Sequence, residues 1–261
     1  MVHINTTKID EFKNLKDDDY YVITDFDRTL TTRESEPTMG IIPQFLGGKC
    51  LEERTKIFNY YRPIELDYTL DDEEKCKIMK EWAKKSFTLL SEYITNERIE
   101  KSLQNSNIWL RDGTKEFLEE MKNKDIPVII MSSGIGNIVK AFLEKEKCLF
   151  NNTIIVSNFF EFNNEEAYID VNEIMATSNK EYERIPKNIR EKLEQKNKLI
   201  LLGDLVEDIK MINKENLKNT LTIGFLDENI EQNLEKYNNN FDIVLTENSN
   251  FKDVKNILNI Y

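Results

Sequence analysis

The chain has 261 residues, 39% of them hydrophobic and 32% charged, a composition typical of a folded globular protein. Its 36 basic and 48 acidic side chains give a formal net charge of −12, which argues against a nucleic acid polymer as a partner. The three cysteines, Cys50, Cys76 and Cys148, form no CxxC pair, so neither a disulfide framework nor a zinc site is predicted.

The chain contains no apolar run that resembles a secretory signal or that could cross a bilayer. We therefore expect a cytoplasmic protein with no membrane partner. The only histidine, His3, lies in a terminal segment that we expect to be mobile, which argues against sites built on imidazole. Acid-base chemistry must then come from carboxylates or lysines.

Short apolar runs bounded by polar residues predict buried strands at Tyr20 to Phe26, Pro127 to Met131, Thr153 to Val156, Leu199 to Leu202, Leu221 to Leu226 and Asp242 to Leu245. Helical patterns are found at Ile138 to Lys145, Asp208 to Ile212, Asn229 to Tyr237 and Phe251 to Ile260. Strands that alternate with helices indicate an α/β fold, with a parallel sheet covered by helices on both faces.

About a hundred residues separate the first and second predicted strands, whereas loops of α/β units usually have about two to six. The helical pattern from Glu52 to Ser106, in which Cys76, Met79 and Trp82 recur at i, i+3 and i+6, predicts a mostly helical cap in this interval. We therefore divide the chain into a catalytic α/β core, residues 1–34 and 107–261, and an inserted cap, residues 35–106.

Two carboxylates close the first predicted strand, at the sheet edge where α/β folds bind ligands. Alternation directs Asp25 and Asp27 into one pocket and Phe26 into the core. Two ionised acids this close repel each other, and Mg²⁺ is the simplest cation to relieve that repulsion. We expect Asp25 to attack phosphorus and Asp27 to protonate the departing alcohol and later deprotonate water. The alternative is that both acids merely end a strand.

A Ser-Ser-Gly turn follows the second predicted strand and precedes a helix. The hydroxyls and backbone amides of Ser132, Ser133 and Gly134 can hold an anion such as phosphate at this position. An ordinary helix cap is the alternative interpretation.

A further pair of acids follows the fourth predicted strand. Asp204 comes to the same sheet edge as Asp25 and is predicted to bind the metal together with Asp25 and Asp27. Asp208, four residues later, is a further catalytic candidate. For Asp208 alone, an acidic helix start favoured by the helix dipole is the alternative.

Taken in order, DFDRT at Asp25 to Thr29, the Ser-Ser-Gly turn and GDxxxD at Gly203 to Asp208 resemble the motifs of the haloacid dehalogenase superfamily. The resemblance implies a Rossmann-like core and the covalent, magnesium-dependent mechanism just described. It also implies a lysine between the second and last motifs that stabilises phosphate, and Lys180 is the candidate.

A narrower resemblance, to the cytosolic pyrimidine 5′-nucleotidases of class III, runs over most of the chain. It is carried by Ile64 to Asp67, Glu73 to Lys75, Glu81 to Trp82, Lys85 to Ser86, Ile155 to Phe159, Asn179 to Lys180 and Ile200 to Asp204. It implies hydrolysis of nucleoside 5′-monophosphates. It also implies that Glu65 and Ser86 contact the nucleoside, while Ser132, Ser133 and Lys180 hold the phosphate.

Arg28, Phe87 and the pair Met39 and Gly40 depart from the usual pattern of that family, so the base pocket is expected to differ. The preferred base, and transfer of phosphate to an alcohol other than water, remain open at this stage. A phosphatase for another small phosphomonoester is one alternative. A non-catalytic binding protein of the same fold is another, and we expect a monomer in each case.

Overall fold

A mostly parallel sheet of seven strands forms the centre of the protein in a computed structural model. The structure describes residues 1–13, 15–17, 19–67, 69–164, 166–247 and 249–259, and at Lys214 it describes the backbone alone. The described residues form the strands β1 (Val2–Ile4), β2 (Tyr20–Thr24), β3 (Val128–Ile135), β4 (Thr153–Asn158), β5 (Glu161–Asn163), β6 (Glu166–Tyr168), β7 (Lys198–Gly203), β8 (Thr220–Leu226) and β9 (Ile243–Thr246). The large sheet has the order β1-β9-β8-β7-β2-β3-β4, and β5 pairs with β6 separately.

The order of the sheet reverses beside β2. The chain runs outward from β2 through β3 to β4, then returns to place β7 on the other side of β2 before continuing to β8 and β9. All of these pairings are parallel. Ligands of open α/β sheets bind at such a switch point, outside the carboxyl ends of the strands.

The amino-terminal segment differs from the expectation. It forms β1, which pairs antiparallel with β9 and places His3 opposite Val244. The edge of β9 offers unpaired backbone groups, and these pair with this strand of only three residues. His3 therefore lies on the outermost strand, away from the switch point.

Both faces of the sheet are buried, as the sequence predicts. On β2, Tyr20 and Val22 pack into one apolar cluster, whereas Tyr21 and Ile23 pack into a second cluster across the sheet. This division follows from the alternation of side chains along a strand.

The helices that cover the sheet and form the insert are α1 (Ile9–Phe12), α2 (Thr38–Leu46), α3 (Gly48–Glu65), α4 (Asp72–Ser91), α5 (Asn96–Gln104), α6 (Thr114–Asn123), α7 (Gly136–Lys145), α8 (Lys187–Leu193), α9 (Ile230–Asn238) and α10 (Phe251–Leu258). The last helix was predicted to reach Ile260, which lies outside the described residues. The turn after β7, Val206–Met211, is a 3₁₀ helix rather than an α-helix.

The predicted helical insert is present, since α2 to α5 lie between β2 and β3. Local capping fixes two of these helices: Asp71 accepts hydrogen bonds from the first turn of α4, and Thr95 does so at α5. Helices α3 and α4 pack through Tyr61 and Trp82, whose rings stack with centroids 5.8 Å apart. The domain boundaries at residues 35 and 106 stay a prediction.

The segment predicted as a Ser-Ser-Gly turn is the end of β3. The strand continues to Ile135, and its register with β4 shifts between Ser132 and Ile135. This irregularity lets the backbone of Ser133 and Gly134 leave regular pairing and turn toward the switch point.

Candidate active site

A cleft of about 860 Å³, its mouth included, lies between the carboxyl ends of β2, β3 and β7 and the helices α3 and α4. Of the predicted site residues, the structure places these around the cleft: Asp25, Asp27, Glu65, Ser86, Ser132, Ser133, Gly134, Lys180 and Asp204. Asp208 lies beneath its floor and is fully buried.

Lys180 connects two of the acids. Its Nζ lies 2.7 Å from Asp25 Oδ1 and also forms an ion pair with Asp208. Burial lowers the pKa of Lys180, but the neighbouring carboxylates Asp208 and Asp25 outweigh it and raise that pKa above its ordinary value. Lys180 is therefore held as a cation although only 1% of it is exposed.

Three carboxylates converge at this end of the cleft. Among the described residues, oxygens of Asp25, Asp204 and Asp208 lie within 4.8 Å of one another. Burial, followed by the charges of Asp25 and Asp208, raises the pKa of Asp204 well above its ordinary value. Burial likewise raises the pKa of Asp25, although the positive charge of Lys180 acts to lower it. This excess of buried negative charge is the environment that a divalent cation relieves, and carboxylate oxygens are the ligands that Mg²⁺ prefers.

Asp208 supports the group from below. Its Oδ2 accepts hydrogen bonds from the backbone N–H groups of Asp204 (3.0 Å) and Leu205 (3.1 Å). Because Asp208 also pairs with Lys180, both of its oxygens have protein partners. The GDxxxD spacing thus lets one buried acid fix the turn that carries Asp204.

Asp27 lies in the cleft but outside that group of three. Its Oδ1 accepts a hydrogen bond from the backbone N–H of Thr38 at 3.0 Å, and its Oδ2 accepts one from the Thr38 hydroxyl at 2.8 Å. Burial raises the pKa of Asp27, and the two bonds from Thr38 oppose that rise. The assignment of Asp27 as a metal ligand stays a prediction.

The irregular end of β3 presents backbone amides and hydroxyls to the cleft. Ser132 is buried and its Oγ accepts a hydrogen bond from the N–H of Gly134 at 3.1 Å. The side chain of Asn158 donates to Ser133 O (2.9 Å) and Met175 O (2.8 Å) and accepts from Met175 N. Asn158 thereby ties this segment to the loop that leads to Lys180.

Arg28 follows the acids with a left-handed backbone conformation, φ +65°. Its side chain lines the cleft and forms an ion pair with Glu228 at 3.4 Å. The guanidinium therefore faces the site while it is paired with a carboxylate. The buried guanidinium of Arg111 donates to Arg28 O and to Thr29 O, and it pairs with Asp227 at 2.7 Å. These bonds hold a conformation that an arginine rarely adopts.

The cap wall contains residues that the sequence did not single out. Arg62 forms an ion pair with the buried Glu65 and a second one with Glu228 of the core at 3.2 Å. Arg54 pairs with Glu36 and lies over the ring of Phe58, 4.5 Å from its centroid. Four residues of α3 that line the cleft, Arg54, Phe58, Arg62 and Glu65, follow one another at intervals of four, four and three positions. This spacing places them on a single face of the helix, a pattern from which they could have been predicted.

Ser86 lies on α4, within the wall of the cleft. Phe87, beside it, is fully buried and packs on Phe160, with ring centroids 5.7 Å apart. Trp82, part of the helical pattern that predicts the cap, lines the cleft as well and stacks on Tyr61.

Comparisons with known proteins agree with this geometry. Residues 6–261 match the profile of the family described as Pyrimidine 5′-nucleotidase (UMPH-1). The human 7-methylguanosine phosphate-specific 5′-nucleotidase is 31% identical over 249 residues, which is 91% of this chain and 83% of that protein. The solved structure of cytosolic 5′-nucleotidase IIIB bound to cytidine is 26% identical, with a TM-score of 0.82 over 99% of this chain and 93% of that one.

The wider fold relationship is also visible. A substrate-bound phosphoserine phosphatase superposes with a TM-score of 0.60 over 91% of this chain and 97% of that one, at 20% identity, and so shares the fold. With the family profile and the human relative, these findings show that the chain belongs to the pyrimidine 5′-nucleotidase (UMPH-1) family, has the haloacid dehalogenase-like fold and is a phosphomonoester hydrolase of the 5′-nucleotidase type.

Proposed function

We propose that this enzyme converts pyrimidine nucleoside 5′-monophosphates to nucleoside and phosphate through an aspartyl-phosphate on Asp25. The observation that carries the proposal is the 2.7 Å contact between Asp25 and Lys180, at the core side of a cleft whose opposite wall is formed by cap residues. A lysine in this position favours the ionised form of the attacking carboxylate against the effect of burial, and it attracts the phosphate.

In the first step, a carboxylate oxygen of Asp25 forms a bond to phosphorus while the bond between phosphorus and the 5′ oxygen breaks. The electron pair of that bond goes to the 5′ oxygen, which takes the proton of Asp27 and leaves as the nucleoside alcohol. Ser132, Ser133 and Lys180 supply donors to the phosphate oxygens. The position of all three around the cleft supports this role.

In the second step, Asp27 removes a proton from water and the water oxygen bonds to phosphorus. The bond between phosphorus and Asp25 breaks, and its electron pair returns to the carboxylate. Phosphate leaves and Asp27 is again protonated, so one water is consumed for each nucleotide.

Asp25 and Asp204 would hold Mg²⁺, and Asp208 would steady them from beneath because both of its oxygens already have protein partners. Bound there, the ion supplies positive charge that offsets the carboxylates and the phosphate. The raised pKa of Asp204, caused by burial and the neighbouring acids, supports such a site. Asp27, which the sequence also predicts as a metal ligand, acts as the acid and base.

The charge of the cap wall supports an uncharged base. The carboxylate of Glu65 is paired with Arg62, so it is not free to bind a positively charged base. The guanidinium of Arg54 covers one face of the Phe58 ring, so that face is not open to a cation. A 7-methylguanine base carries a positive charge, whereas cytosine and uracil are neutral. We therefore propose that CMP and UMP are preferred to 7-methyl-GMP, the substrate class named for the human relative.

A substrate panel tests this proposal. Phosphate release with Mg²⁺ is measured for CMP, UMP, 7-methyl-GMP, GMP and glucose 6-phosphate. We expect kcat/KM for CMP and UMP to exceed that for 7-methyl-GMP by about tenfold or more. Preference for glucose 6-phosphate would contradict the nucleotide assignment and favour a phosphatase for another small phosphomonoester.

A variant of the wall sharpens the comparison. Arg62→Gln leaves Glu65 without its cationic partner, and we expect it to shift selectivity toward 7-methyl-GMP because the free carboxylate attracts the charged base. Lys77→Gln, which removes a lysine from an exposed pair with Glu73 on the same cap, is the control and leaves selectivity unchanged.

For the setting of the enzyme, we propose a cytoplasmic monomer that binds nucleotides but no nucleic acid polymer and no membrane. The description of a related structure as cytosolic and the free thiols of Cys50, Cys76 and Cys148 support the cytoplasmic setting. Within the part of the chain that the structure describes, every helix is too short or too polar to span a membrane.

A further inference from the structure

The amino terminus of α2 has an unusual cap. Helix ends need acceptors for their first N–H groups, but the N-cap residue Pro37 provides no side-chain hydrogen bond. Asp27, eleven residues before Thr38, takes this role, because its two oxygens accept the N–H of Thr38 at 3.0 Å and the hydroxyl of Thr38 at 2.8 Å. One residue thus fixes both oxygens of the carboxylate.

Thr38 has a third contact, with the strand that presents the phosphate-binding groups. Its Oγ1 accepts a hydrogen bond from the N–H of Ile135 at 3.3 Å. The side chain is fully buried, and since its single hydroxyl proton goes to Asp27, its rotation is fixed from two sides. A Cβ at Gly134 would lie 1.9 Å from Thr38 Oγ1, so the lack of a side chain at this position provides the space that the hydroxyl occupies.

We propose that Thr38 is a positioning residue that holds the carboxyl group of Asp27 in the orientation required for proton transfer to the leaving 5′ oxygen. This inference rests on the proposed function, in which Asp27 is the acid. Because Thr38 is also the first residue of the cap helix α2, it links the orientation of the acid to the seating of the cap over the cleft.

Two substrates separate proton donation from the rest of the reaction. The 5′ oxygen of CMP must be protonated as it leaves, whereas the nitrophenolate of p-nitrophenyl phosphate leaves without a proton. For Thr38→Val, which keeps the volume but lacks the hydroxyl, we expect kcat/KM to fall about 100-fold with CMP and about threefold or less with p-nitrophenyl phosphate. Thr38→Ser, which keeps the hydroxyl, recovers most of the loss.

Thr114→Val is the matched control. Thr114 is also fully buried and also begins a helix, α6, but its hydroxyl donates to the backbone oxygen of Leu30 at 3.1 Å. We expect this variant to lose stability while the ratio of kcat/KM between the two substrates stays that of the wild type. Thermal unfolding reports whether each variant is folded, and Thr38→Ala takes the place of the valine variant if that one does not fold.

Equal losses with both substrates, no loss with CMP, or a serine variant as impaired as the valine variant would each overturn the inference. The variant Asp27→Asn distinguishes failure of the role of Thr38 from failure of the proposed function. If Asp27→Asn leaves the substrate ratio unchanged, Asp27 is not the acid and both proposals fail. If Asp27→Asn shifts the ratio and Thr38→Val does not, only the role of Thr38 is lost.

Discussion

Lys180 Nζ lies 2.7 Å from Asp25 Oδ1, although the two residues are 155 positions apart in the chain. Asn158 holds the loop that ends at Lys180 to the strand that carries Ser133, so hydrogen bonds within the core help to build this contact. A cation fixed in this way is present before any substrate arrives.

Removing this cation should affect both stability and turnover. Lys180→Met leaves Asp25 and Asp208 without their buried partner, and we expect the free energy of unfolding to fall by about 3–5 kcal/mol. We also expect kcat to fall about 100-fold or more, since a preorganised charge at the phosphate is lost. Denaturant unfolding and steady-state kinetics measure the two effects.

Lys85→Met is the control for that substitution. Lys85 pairs with Glu81 on the cap surface, where 53% of its side chain is exposed, and screening by water makes such pairs weak. We expect little change in unfolding or kcat. Wild-type turnover by Lys180→Met would refute the role assigned to Lys180.

The buried acids make stability depend on pH and on Mg²⁺. The pKa of Asp204 lies above its unfolded value of 3.8, so the folded protein holds that proton more tightly than the unfolded chain does. Its contribution to stability is therefore greatest below pH 3.8 and is lost as the pH rises through the higher pKa of the folded state. Without metal, Asp204→Asn should be more stable than the wild type near neutral pH.

Mg²⁺ should reverse that order. At a concentration about 100 times its Kd, the ion stabilises the wild type by about 2.7 kcal/mol. Asp204→Asn has lost one of the converging carboxylates and should gain much less. Thermal unfolding with Mg²⁺ and with EDTA, over a range of pH, measures both effects. Equal gains in the two proteins would exclude Asp204 as a ligand.

Gly203 leaves the space that Asp208 occupies. A Cβ at this position would lie 2.4 Å from Asp208 Oδ2, so Gly203→Ala must displace the acid from the N–H groups of Asp204 and Leu205. We expect kcat per folded enzyme to fall by about tenfold or more, because the turn that carries Asp204 loses its anchor.

The neighbouring strand offers a matched control for this prediction. Gly224 lies opposite Gly203 in the register of β7 and β8, and a Cβ there would lie 2.6 Å from the ring of Phe241. Gly224→Ala should cost stability to a similar degree but leave kcat per folded enzyme near that of the wild type. A comparable loss of kcat in both variants would point to general strain in the sheet.

The sequence predicted the core and its acids because these are local features of buried strands. The apolar run before Asp25 and the one before Asp204 each end at the same sheet edge, and that edge is set by parallel pairing. The strand at residues 2–4 was missed because it has only three residues and is held by the edge of β9.

The cap wall and the partner of Asp27 were not predicted, since they depend on how the insert packs on the core. Arg62 meets Glu228, and Thr38 meets Asp27, only after α2 and α3 are placed over the sheet. The positive φ of Arg28 was not predicted for the same reason, because it is stabilised by Arg111, which is distant in the sequence. Single-sequence patterns carry little information on contacts of this range.

The central claim is that Asp25 carries the phosphoryl group. Enzyme mixed with 5′-[³²P]CMP and Mg²⁺ and quenched with acid should retain label, and reduction of the denatured protein with borohydride should convert residue 25 to homoserine, as seen by mass spectrometry of its peptide. Asp25→Asn should give neither signal and should lose about 10⁴-fold or more of its turnover. Label on another residue, or full turnover by Asp25→Asn, would contradict the account.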